Sequence, residues 1–367
     1  MEGNHLPGKE LNYYGGGNTA KGFVHFFESN FQELDRLFIL KGGPGTGKST
    51  LMKSIGEEWR DKGYDVEWIH CSADVGSIDA VLIPSLKIGI VDGTAPHIIE
   101  PSLPGVFEEY VDLGIAWDRN KLLPYKEEII QINQDLKEIY KNAYDSFHKG
   151  LLIHDELEKI YINEMNFEKA NLVTEEWIER LIGVNSLPKN SIVKHRFLGA
   201  TTPDGTVNFV ENITQDIPKR YFIKGRAGTG KSTMMKKIAA AAESKGFNTE
   251  IYHCGFDPLS LDMIVVKELD FVIFDSTAPH EYFPSREGDS IIDLYELVVT
   301  PGTDEKYKDE INEVTKKYKF EVQKGIEFLS QTKEKRKQLE QIYIQAMDFS
   351  IVDESRERIN EIMKKTK

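Results

Sequence analysis

Two octapeptides set the chemistry this chain can do. GGPGTGKS at 42–49 and GRAGTGKS at 225–232 both fit the spacing GxxxxGK[ST]. In that spacing glycines let backbone N–H groups converge on phosphate oxygens, and a helix starting at the lysine adds the positive end of its dipole. The candidate binding residues are Gly42, Gly43, Pro44, Gly45, Thr46, Gly47, Lys48, Ser49 and Thr50 in the first loop. In the second they are Gly225, Arg226, Ala227, Gly228, Thr229, Gly230, Lys231, Ser232 and Thr233. Lys48 and Lys231 are expected to bridge β- and γ-phosphates, and Ser49 and Ser232 to ligate Mg²⁺. The second loop departs from the first at Arg226 and Ala227, a change that can keep a fold while losing turnover.

A metal-nucleotide site also needs an acid ending a buried strand, and Asp92 in KIGIVDG and Asp275 in DFVIFDS hold that position identically. Ser49, Asp92, Ser232 and Asp275 are therefore the expected Mg²⁺ ligands. Gly93 and Ser276 follow the acids, where motor ATPases place a water-activating Glu, so fast hydrolysis is not expected. The guanine-reading pattern Asn-Lys-x-Asp does not occur, which favours ATP over GTP.

Thr-Ala-Pro-His follows each acid, ending at His97 and His280. These histidines are candidates for contact with the γ-phosphate, the attacking nucleophile or a second substrate, against the plainer role of fixing a loop. Asp74 and Asp257 lie 26 residues beyond the loop lysines (74 − 48 and 257 − 231). Their catalytic reading is water activation or an acceptor site, and their structural reading is a cap on the next helix. The neighbouring pairs His70-Cys71 and His253-Cys254 do not suggest zinc, because adjacent strand residues point to opposite faces.

The elements that must position these groups come in two copies. Shifting the chain by 183 aligns Gly22 to Pro101 with Gly205 to Pro284 without a gap, with 32 of 80 pairs identical. Apolar runs before each loop and helical spacing after it predict strand, loop, helix, and the alternation predicts an α/β fold with a mostly parallel sheet. A helical stretch is expected through Ile78, Val81 and Leu82. From 119 to 183, and again from 304 to 367, apolar residues at three- and four-residue steps predict a C-terminal helical hairpin or coiled coil in each copy. Those helices are expected either to cover the sheet or to project toward a protein partner. The expected domains are 1–183 and 197–367, joined by a linker at 184–196.

The paired loops, the paired Asp-[Gly/Ser]-Thr-Ala-Pro-His segments and the helical stretches together resemble a little-characterised bacterial family of tandem P-loop proteins. The resemblance covers almost the whole chain and implies a duplicated P-loop NTPase fold that binds ATP with Mg²⁺. The leading expectation for the chain is slow or regulated ATPase activity, with a phosphotransferase or an ATP-switched interaction module as alternatives.

Composition sets the remaining limits. With 46 basic against 60 acidic residues the chain carries a formal charge of −14, a poor match for a nucleic-acid footprint. No apolar run approaches a membrane span, the N-terminus lacks a signal-peptide pattern, and two cysteines make no disulfide framework. A cytoplasmic location is the expectation.

Overall fold

Strand-forming runs fall into two matching sets in the computed structural model, which describes residues 6–277 and 281–366. The first set is β1 Glu10–Tyr14, β2 Gly16–Thr19, β3 Gly22–His25, β4 Arg36–Lys41, β5 Val66–His70, β6 Ile78–Ile83, β7 Ile88–Asp92 and β8 Glu108–Asp112. The second is β9 Val193–Phe197, β10 Gly199–Thr202, β11 Gly205–Asn208, β12 Lys219–Lys224, β13 Thr249–His253, β14 Leu261–Val266, β15 Phe271–Asp275 and β16 Asp289–Asp293. Starts differ by 183 residues at β1/β9, β4/β12 and β6/β14 (193 − 10, 219 − 36, 261 − 78). The fold is α/β, built on a large, mostly parallel sheet of twelve strands, β16-β12-β15-β14-β13-β9-β1-β5-β6-β7-β4-β8.

Read outward from its centre, each half of that sheet has the same order. β1 and β9 meet there antiparallel through Tyr14 and Phe197. Arg196 on β9 locks the join. Its side chain is fully buried, donates to Glu67 of the first half (2.9 Å) and Glu250 of the second (3.2 Å), and lies over the Tyr13 ring at 4.0 Å. Opposite charges on both sides are what make so deep a cation tolerable.

Two expectations need correction here. The segment through Ile78, Val81 and Leu82 is not helical; it is β6, antiparallel to both β5 and β7. All six residues of IDAVLI are buried, so the polar/apolar period that separates helix from strand is absent over this short run. The expected linker at 184–196 already holds most of β9, whose Lys194, His195 and Arg196 read as loop residues although Arg196 is buried at the central join.

Among the described residues six helices exceed ten residues: α1 Lys48–Asp61, α2 Lys126–Asn163, α3 Phe167–Leu181, α4 Lys231–Ser244, α5 Lys308–Ile344 and α6 Phe349–Lys365. The expected hairpin within each copy does not form. Instead α2 pairs antiparallel with α5, one helix from each copy, through Ile132 with Leu339 and Phe147 with Leu329. Gly325 makes the close approach possible, since a Cβ there would stand 2.2 Å from the Phe147 ring. Tyr144 of α2 donates to Asn18 of β2 (2.9 Å), so the helix pair lies on the body of the protein rather than projecting from it.

The shorter helices complete the exchange. Val173 and Leu181 of α3 share a core with Met235, Ile238 and Ile273 of the second half. Val352, Ile359 and Met363 of α6 share one with Ile55, Trp59 and Ile90 of the first. Each sheet half is thus finished by the last helix of the other copy. Among the described residues no helix is long and apolar enough to cross a membrane.

Candidate functional site

Both glycine-rich octapeptides lie where a strand one in from the sheet edge gives way to a helix, β4 to α1 and β12 to α4. The turn needs glycine: Gly45 and Gly47 have φ of +69° and +80°, and Gly228 and Gly230 have +73° and +85°. Gly47 and Gly230 cap their helices without a side-chain acceptor, which leaves the first N–H groups of α1 and α4 free to receive an anion. Thr46 and Thr229 close the loops from inside, each hydroxyl donating at 2.9 Å, to the carbonyls of Gly43 and Arg226 respectively.

The lysines fold back over their loops. Lys48 Nζ donates to the carbonyls of Gly42 (2.7 Å) and Gly43 (2.8 Å) and stands 3.6 Å from Asp92. Lys231 Nζ donates to the Arg226 carbonyl (2.7 Å) and stands 3.6 Å from Asp275. Burial pulls the Lys48 ammonium below its ordinary range, with Asp92 opposing the shift. One carboxylate oxygen of each acid accepts from the following threonine, Thr94 or Thr277, which leaves the other facing the lysine. Ser49 and Ser232 accept the N–H of Ile78 (3.0 Å) and Leu261 (2.9 Å), tying each helix start to β6 or β14. Hydroxyl and carboxylate oxygens at one helix N-terminus form a hard donor set of the kind Mg²⁺ takes. Thr50 and Thr233 sit exposed on the first turns.

Two acids that sequence reasoning left out lie beside this set. Asp79, second residue of β6, falls opposite Asp92 when the register is carried one step past Ala80–Val91, and Asp262 falls likewise opposite Asp275. Burial, with Asp92 adding to it, pushes the Asp79 carboxyl up to about 6; burial and Asp275 push Asp262 up to about 7. Cys71 and Cys254 stand beside them. The signal was present: an acid inside an apolar run, IDAVLI and LDMIVV, at the same offset of 183.

His97 is buried against Phe23 and Phe27, 3.8 Å from Asp79, and neither ring nitrogen makes a hydrogen bond. Asp79 in turn lies opposite Asp92, which faces the loop lysine. His280 lies outside the described residues. Asp74 accepts from Ser77 and the N–H of Gly76, and Asp257 from Ser260 and the N–H of Leu259. Both cap turns between strands rather than a helix, because the expected helix there is β6 or β14. His70 accompanies Asn12 while Cys71 faces Asp79, as opposite strand faces require.

A helix backbone from the other copy rests on each loop, beside contacts from its own copy. A Cβ at Gly45 would meet the Glu340 carbonyl of α5 at 2.9 Å, and one at Gly228 would meet the Glu158 carbonyl of α2 at 2.7 Å. Trp117 lies over Gly43, within 3.1 Å of a Cβ there. At the second loop Arg226 is drawn to Asp304 (2.8 Å) and over the Tyr295 ring (4.7 Å), so the Arg-Ala departure leaves the turn intact. Set against known proteins, the chain matches no family model, no curated protein and no solved structure.

Proposed function

We propose that this is a Mg²⁺-dependent ATP-binding protein with slow or regulated ATPase activity, carrying one phosphate loop in each half of an internal pseudo-dimer. The observation that carries the reading is a repeated constellation: a positive-φ glycine turn at a helix start, with a lysine over the loop and 3.6 Å from a strand-ending aspartate, at both Lys48 and Lys231. Ser49 with Asp92, and Ser232 with Asp275, would hold the metal, which when bound supplies charge on the β- and γ-phosphate oxygens. The lysines and helix N-terminal N–H groups hold the phosphates, and Asp79 and Asp262, beside them, are placed to take a proton.

Calorimetry tests it. Wild type should bind two Mg-ATP, and Lys48→Ala and Lys231→Ala should each remove one event. A chain that binds no nucleotide sinks the reading. A second reading, an ATP-controlled interaction module, is favoured by the backbone of α5 and α2 resting on the loops, so that an occupied loop can shift the helix pair. Labelled ATP separates these from a phosphotransferase, according to whether phosphate is released, released slowly until a partner is added, or moved to an acceptor.

A further inference from the structure

We propose that Arg336 completes the anion site at the first glycine-rich loop, and that the histidine in its place at the second makes the first loop the hydrolysing site and the second a holding site. The proposal rests on the phosphate-loop reading above and assigns unequal work to its two sites.

Arg336 lies on α5, one turn before Glu340, the residue whose backbone rests on Gly45. Residues four apart share a helix face, so the guanidinium and the loop lie on the same side of α5. It donates to the Tyr140 hydroxyl at 3.3 Å, and among the described residues no carboxylate comes within ion-pair distance of it. Its charge acts on Lys48, on Glu340, and on the buried Asp79 and Cys71 beside the first loop. Asp92 stands 3.6 Å from Lys48 and the Glu340 carboxylate acts on both cations, yet neither forms an ion pair with Arg336, so Lys48 and Arg336 can both turn to a polyanion at the helix N-terminus. A guanidinium is the side chain best shaped to grip one bidentately.

The second loop has the same approach and a different residue. Subtracting the offset of 182 that relates α2 to α5 turns Arg336 into His154 and Glu340 into Glu158. The backbone of Glu158 rests on Gly228 as that of Glu340 rests on Gly45. The imidazole of His154, however, stands 3.7 Å from Glu158 and has no fork of donors. The other local cation, Arg226, is engaged by Asp304.

At the first loop the water oxygen bonds to the γ-phosphorus, and the bond from that phosphorus to the bridging oxygen breaks with its electron pair leaving on ADP. ATP and water become ADP, inorganic phosphate and a proton. Arg336 contacts the γ-phosphate oxygens and neutralises charge that grows on the bridging oxygen, an interaction stronger in the transition state than in bound ATP.

The test uses the full chain, with phosphate release at saturating Mg-ATP and calorimetry side by side. Arg336→Ala should lower kcat about 100-fold or more while two nucleotides still bind. Arg336→Lys should recover part of the loss, and millimolar guanidinium added to Arg336→Ala should raise its rate, which a purely structural arginine would not permit. If alanine unfolds the chain, Arg336→Gln keeps a donor for Tyr140 and carries the same expectation. In a Lys48→Ala background, His154→Arg should raise the residual rate at least about tenfold, since it gives the second loop its missing fork. Wild-type turnover in Arg336→Ala with two nucleotides bound overturns the assignment and leaves the phosphate-loop reading standing. Absence of nucleotide binding in the wild type defeats that reading instead. No gain from His154→Arg overturns the proposed inequality.

Discussion

The two glycine-rich loops share their backbone, their lysine and their acids, and differ in what reaches them from outside. At the first, Gly43 lies under Trp117 and an arginine without an ion-paired carboxylate arrives on α5; at the second, Arg226 is occupied by Asp304 and a histidine beside Glu158 arrives on α2. Duplication preserved the parts that fold the turn and let the covering parts diverge. The lesson is that equivalence of a motif is equivalence of its local segment only. Each motif's surroundings also include a helix from the opposite copy.

The largest effect expected from breaking this comparison is at the strand-ending acids. Asp92→Asn should reduce Mg²⁺-dependent turnover about 100- to 1,000-fold, roughly 3–4 kcal/mol of transition-state stabilisation, while Asp275→Asn costs distinctly less. Steady-state phosphate release on both variants decides it, and equal losses would mean that the loops work alike.

Next is the exchange of terminal helices. Ile359→Ala on α6 empties a buried position in the core of the first half, and Leu181→Ala on α3 does the same in the second, each at a cost of about 3 kcal/mol. Hydrogen exchange should show Ile359→Ala loosening β4 and β7 before β12 and β15, and Leu181→Ala the reverse. If each variant instead loosened its own copy, the crossed arrangement would be wrong.

The smallest concerns the edge strands. Asp289 on β16 is held at about 2 by two hydrogen bonds from Arg220 (2.8 and 2.7 Å), against the cost of burial. A depressed carboxyl stabilises above its unfolded value near 3.9, and that stability is lost as pH falls toward 2. Asp289→Asn should therefore cost about 2 kcal/mol at pH 7 in urea unfolding, with the difference shrinking between pH 4 and 2. Glu108 at the other edge is held low, against burial, by the N–H groups of Leu103 and Ser102 without an arginine, so Glu108→Gln should cost less. Matching pH profiles would erase this difference between the halves.

The loops, their lysines and Asp92 with Asp275 were legible because each is set by a contiguous segment whose glycines or strand end leave few alternatives. Asp79 and Asp262 were hidden by reading a doubly buried strand as a helix. Arg336 and His154 were beyond reach for a different reason: helical periodicity states that a face is apolar but not which helix it meets, and these pair across the copies. Arg196 shows the same limit, since a lone arginine in a polar stretch gives no sign that Glu67 and Glu250 await it from two halves.

The crossed terminal helices also fix an order of events during synthesis. The Trp59 indole donates to Asn360 of α6, a contact made across 301 residues. At about 5–20 residues per second a ribosome needs roughly 15–60 s to bridge that interval. Throughout it the apolar side of α1 and its strands has no lid of its own, whereas α3, the lid for the second half, emerges before the sheet it will cover. Two halves nearly alike when finished are therefore born under opposite conditions, one waiting for its cover and the other arriving beneath it.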